Sequence, residues 1–77
     1  MQVKVLFFGA LSEVAGSDCR YYTDARSTND LQHRILDEFP EIAHYNYRLS
    51  LNNEIIETDM PLGDNDEVAL LPPFAGG

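Results

Sequence analysis

Seventy-seven residues allow one domain built around a single small core. Thirteen acidic residues against five basic ones give a net charge of −8, which argues against nucleic acid or an anionic membrane as partner, since both reward Lys and Arg. At 44% hydrophobic residues the chain is too apolar for a disordered acidic tail, and its one cysteine, Cys19, excludes an internal disulfide framework and any multi-cysteine zinc site.

Val3 to Phe8 is rich in β-branched and aromatic residues and reads as a strand. Val3, Val5 and Phe7 share one face; Lys4, Leu6 and Phe8 share the other, which the lysine marks as the less buried. Lys4 within the apolar run and Gly9 at its end make this segment too short and too charged for a signal peptide or a membrane span. Together with the free thiol, that sets the expectation of a protein in a reducing cytoplasm. Ala10 to Ala15 reads as a short helical turn closed by Gly16, and Cys19 to Thr23 as a second strand.

Ser27-Thr28-Asn29-Asp30 is a helix start, with Ser27 as the cap that accepts from the amide of Asp30. Leu31, Ile35 and Phe39 recur every four residues, Leu36 widens the apolar stripe, and Pro40 ends the helix near Phe39. Residues 41–47 read as irregular. Arg48 to Leu51 and Glu54 to Glu57 are expected as short strands joined at Asn52-Asn53, a pair that tolerates positive φ. Met60-Pro61-Leu62 makes a loop, Gly63 to Asp66 a turn, and Glu67 to Leu71 the last strand, stopped by Pro72-Pro73, neither of which can donate to a ladder. The order β-β-α-β-β-β predicts an α+β fold of the ubiquitin-like β-grasp kind, a mixed sheet crossed by one main helix. The folded body spans residues 1–71 and an extended tail spans residues 72–77.

The usual catalytic constellations are missing. His33 and His44 lack a ligand-spaced partner, so no metal site is expected. Cys19 reads as a packed strand cysteine, Asp37, Glu38 and Glu41 as a solvated helix end, and Gly63 to Glu67 as a turn rather than a calcium loop. The tail Pro72-Pro73-Phe74-Ala75-Gly76-Gly77 is different. Two prolines hold a chain straight and away from its body, and glycines without Cβ can thread a slot that any side chain would block. That is what a terminal carboxylate needs if another protein's active site must reach and activate it, for example as an acyl-adenylate.

Lys4-Val5-Leu6-Phe7-Phe8, together with the run from Asp64-Asn65-Asp66-Glu67-Val68-Ala69 through Pro72-Pro73 to Gly76-Gly77, resembles the molybdopterin synthase branch of the MoaD/ThiS family of sulfur carriers. The resemblance spans the whole chain and is most specific at the C-terminal end. It implies that Gly77 is adenylated by a ubiquitin-activating-like adenylyltransferase, converted to a thiocarboxylate and inserted into the large subunit of the synthase. There the sulfur would pass to cyclic pyranopterin monophosphate. It further implies Gly76, Pro72 and Pro73 as threading residues and no bound cofactor, with ATP and a sulfur donor used through the activating enzyme. Relatives often carry Arg where this chain has Ser12.

A thiamine-thiazole sulfur carrier is a rival reading, which Pro72-Pro73 disfavours; a ubiquitin-like protein modifier and an interaction module with an idle tail are others. The partner surface is expected to combine Leu6, Phe8, Leu71 and Phe74 as an apolar patch. Ala69 is expected on the same face of the sheet as Leu71. Asp64, Asp66 and Glu67 are expected close to the tail, steering basic partners, because residues 54–77 hold six acids and no base.

Overall fold

The computed structural model describes residues 1–73. Strand β1 (Gln2–Phe7) is followed by helix α1 (Ala10–Ala15), strand β2 (Cys19–Thr23) and helix α2 (Thr28–Glu38). A 3₁₀ turn (Pro40–His44) then leads to β3 (Arg48–Leu51), β4 (Glu54–Ile56) and β5 (Glu67–Leu71). The sheet runs β2-β1-β5-β3-β4, with β1 and β5 parallel and every other pair antiparallel. This is the mixed sheet with a helix of a ubiquitin-like β-grasp.

Alternation decides which face is buried. Val3, Val5 and Phe7 of β1 are register-matched to Tyr22 and Arg20 of β2 and to Val68 and Leu70 of β5. The core joins these apolar side chains to Leu11 and Ala15 of α1, Leu31 and Ile35 of α2, and Ile42. Both helices therefore pack on one side of the sheet. Ser27 caps α2 as its position predicts, accepting from the Asp30 amide at 3.2 Å. A second acceptor, Asp59, takes the Asn29 amide at 2.9 Å and ties the loop before β5 to the same helix end.

Residues 41–47, expected to be irregular, instead begin with most of the 3₁₀ turn, which runs from Pro40 to His44. Pro40 stands at its start with its fixed φ, and Ile42 is fully buried beneath it. Asn52 and Asn53 adopt φ of +50° and +73°, the paired positive angles of the expected tight hairpin. The first strand ends one residue early, at Phe7, although the Phe8 amide still donates to the Leu70 carbonyl at 3.2 Å. The fourth ends at Ile56 rather than Glu57. Among the described residues, no helix is long and apolar enough to cross a membrane.

Candidate functional site

The sheet face away from the helices carries the candidate site. In one row across it, Cys19, Leu6, Ala69, Ser50 and Ile55 are successive register partners. In the next, Leu71 pairs with Arg48, and the Phe8 amide reaches Leu70 beside it. Leu6 and Leu71 are half-buried and Phe8 is 43% exposed. Leu6, Phe8 and Leu71 therefore share one apolar face, and Leu71 is the residue from which the chain leaves the sheet through Pro72 and Pro73. The fourth expected member, Phe74, lies outside the described residues, as do Gly76 and Gly77.

Two exposed hydrophobic side chains complete the face, and sequence reading missed both. Tyr21 is 57% exposed and pairs with Lys4; Ile55 is 48% exposed and pairs with Ser50. Alternation along β2 and β4 is visible in the sequence, but their outward positions join this surface only once the strand order is known. Ala69, placed on this face by its alternation, is only 7% exposed. A small side chain between Leu6 and Ser50 in the middle of a sheet is screened by its neighbours. Arg48 is a third omission: an exposed cation level with Leu71 at the tail exit.

The acidic residues are not where their sequence proximity to the tail suggested. Asp64, Asp66 and Glu67 sit at the start of β5, whereas the tail leaves from its end. Five strand steps separate Asp66 from Leu71, about 17 Å at ~3.3 Å per residue. These acids also have local duties. Asp66 accepts from the Gly63 amide at 2.7 Å and from the Asn52 side-chain amide at 3.1 Å, which together hold its carboxyl below the ordinary range. Asp64 accepts from the Gln2 amide at 2.8 Å and ties the turn to β1.

The remaining titratable groups have structural partners or none. Glu38 forms an ion pair with Arg20 and accepts from the Tyr22 hydroxyl at 2.6 Å. Burial first, and then the Glu38 contact, push the Tyr22 phenol above its usual range. Cys19 is a half-buried free thiol. Among the described residues, no cluster of His, Cys, Asp or Glu could hold a metal ion. A cleft of about 520 Å³ lies between the start of α2 and the β3–β4 hairpin; of its two carboxylates, Glu57 and Asp59, the latter is already committed to capping α2. A smaller one of about 400 Å³ is lined by Leu6, Phe8, Gly9 and Ser12 and adjoins the tail exit. Among the described residues, what the arrangement offers is an apolar face beside the point where the chain leaves the sheet, a surface suited to binding another protein.

The ThiS family profile matches residues 5–77. The chain is 35% identical over 83 residues to the molybdopterin synthase sulfur carrier subunit of Chlamydomonas reinhardtii, covering all of both chains. It is 29% identical to a chain in the complex of subunits 1 and 2 of molybdopterin-converting factor from Helicobacter pylori, with both chains fully covered and a TM-score of 0.77. Small archaeal modifier protein 1 from Methanosarcina acetivorans shares the fold, with a TM-score of 0.84 over 99% of this chain and 96% of that one at 23% identity. Profile, identity and fold agree that the chain belongs to the MoaD/ThiS family of sulfur-carrier subunits.

Proposed function

We propose that this chain is the sulfur-carrying small subunit of a molybdopterin synthase in a reducing cytoplasm. It is not a catalyst alone but the sulfur-donating half of a two-protein enzyme. One observation carries the reading. The last strand delivers the chain to Pro72-Pro73 at the rim of an apolar sheet face that neither helix covers. A partner that binds this face receives the tail in a fixed register. The Helicobacter pylori complex, in which a similar chain pairs with a second subunit, supports a large subunit as that partner.

The chemistry resides on Gly77. Its carboxylate attacks the α-phosphorus of ATP on an adenylyltransferase and releases pyrophosphate, making a carbonyl with AMP as leaving group. Hydrosulfide supplied by a donor attacks that carbonyl, forms the carbon–sulfur bond as the bond to AMP breaks, and leaves a thiocarboxylate. In the large subunit that sulfur is destined for the pterin substrate, cyclic pyranopterin monophosphate; hydrolysis of the acyl–sulfur bond by water leaves the sulfur with the pterin and restores the carboxylate. The small subunit holds no cofactor of its own. Gly76 passes the slot, and Pro72 and Pro73 stiffen the chain where it leaves the sheet.

The direct test is to delete Gly76 and Gly77 and assay sulfur transfer to the pterin in the reconstituted two-subunit enzyme. Transfer should be lost and the melting temperature retained. Full transfer by the shortened chain would contradict the proposal and leave an interaction module. Lysine conjugates of the native chain on blots would instead favour a protein modifier, which shares the activation chemistry.

A further inference from the structure

Among the described residues, two glycines take positive φ, and their surroundings differ. Gly16, at φ +71°, closes α1 and has nothing within 4 Å of where a Cβ would stand. It serves the backbone alone. Gly9 has φ 60° and ψ −137° and opens the turn that the Leu11 amide closes onto the Phe8 carbonyl at 3.2 Å. This is the first central position of a type II′ turn, where glycine is favoured. But a Cβ on Gly9 would also lie 3.1 Å from Cγ of Pro72, inside the ~3.5–4.0 Å of an unstrained carbon contact.

The turn is held from several sides. The Ser12 hydroxyl and the Ser12 amide both donate to the Gly9 carbonyl, at 2.8 and 3.1 Å. The Phe8 amide donates to Leu70, two residues before Pro72. The first proline of the tail therefore rests its ring on a bare Cα at a point fixed to both central strands. Pro72 donates no hydrogen bond of its own, so packing against the ring must set its direction.

We propose that Gly9 is a positioning residue for the tail: it is the seat of Pro72, and the contact fixes the direction in which the chain leaves the sheet. The purpose of that direction rests on the sulfur-carrier reading; the geometry does not. A tail aimed before encounter loses less freedom on entering the activating enzyme, so the seat acts on binding rather than on chemistry.

The test compares Gly9→Ala, Pro72→Ala, the double variant, and Gly16→Ala as a control that strains a glycine turn away from the tail. In the free protein, nuclear Overhauser contacts from Gly9 Hα to the Pro72 ring and the Cα–Hα residual dipolar couplings of Pro73 report the seat. In activation assays, KM and kcat report its use. Pro72→Ala should shrink the Pro73 couplings, raise KM for the adenylyltransferase about three- to tenfold and leave kcat within twofold. Gly9→Ala should raise KM at least as much, and the double variant no further than the worse single one. Gly16→Ala should lower the melting temperature and leave KM unchanged. Absence of the Gly9–Pro72 contact in the native chain would overturn the proposal, as would an unchanged KM in Pro72→Ala or an equal rise in Gly16→Ala. If the native chain is never activated, the sulfur-carrier reading fails instead, and the contacts and couplings still decide whether the seat exists.

Discussion

Arg48 is the register partner of Leu71, so an exposed cation stands level with the last strand residue before the tail. The two side chains share the open face, and the proposed docking would use them differently. Leu71→Asp puts a charge in the apolar patch and should weaken binding to the large subunit at least tenfold, mainly through faster dissociation. Its neighbour Leu70 points the other way, so the core survives and the cost to folding should be about 1 kcal/mol, or roughly 4–8 °C in a domain this size. Phe8→Asp should behave alike. Arg48→Ala, at the rim, should change the association rate and its salt dependence more than the dissociation rate. Calorimetry and surface plasmon resonance on the variants check this; unchanged binding in both aspartate variants would remove the patch from the interface.

Leu70→Ala makes the complementary case, one residue away on the same strand. Leu70 is fully buried among Val5, Phe7, Leu31 and Ile35. Its truncation should cost about 2–5 kcal/mol through lost burial and the cavity left behind. Urea unfolding measures this, and a loss no larger than that of Leu71→Asp would contradict the assignment of faces.

Two carboxylates tie stability to acid pH. Asp59 is held below its ordinary pKa of 3.8 chiefly by the Asn29 amide, and Asp66 below the same value chiefly by the Gly63 amide. Because both folded values are depressed, their stabilisation is fully present above the unfolded value. It is lost as pH falls through the folded values, below about 3.8. Melting temperature should therefore drop below pH 4, and Asp59→Asn with Asp66→Asn should flatten that drop. Carboxyl titration by NMR that placed both groups at or above 3.8 would refute the assignment.

The distance of Asp64 and Glu67 from the tail exit changes what neutralising them should do. Glu67 stands four strand steps, about 13 Å, from Leu71, and Asp64 lies further back along the chain; that is beyond one screening length at ~0.15 M salt, where it is ~8 Å, but well within one at ~0.01 M, where it is ~30 Å. Asp64→Asn with Glu67→Gln should slow association with a basic partner several-fold in low salt and hardly at all at physiological salt. Asp66 is left intact because its two acceptor contacts hold the 63–66 turn. Stopped-flow association at both ionic strengths decides it; an equal effect at both would place these acids inside the contact.

Local signals were legible in the sequence where short-range chemistry determines structure. The Ser27 cap, the Asn52-Asn53 hairpin and the inward face of Val3, Val5 and Phe7 each depend on a few adjacent residues. The 3₁₀ turn after Pro40 was not legible, because Ile42 alone anchors it and one apolar residue has no period. Tyr21 and Ile55 joined the open face only through strand order, which is a matter of distant pairing. The acids before β5 misled for the opposite reason: neighbours in sequence are carried apart by an extended strand. The Gly9–Pro72 contact links positions 63 residues apart, and no local pattern announces it.

The central claim is that Gly77 carries the sulfur, and intact mass is its most direct measure. Native chain and a chain extended by one alanine would be incubated with ATP, the adenylyltransferase and a sulfur donor, then weighed. One added residue moves the reactive carbon about 3.5 Å, well beyond the ~0.5 Å tolerance of a productive site. The native chain should exchange one terminal oxygen for sulfur and the extended chain should remain unchanged. An extended chain that gains sulfur at its terminus, with the alanine still attached, would contradict the claim.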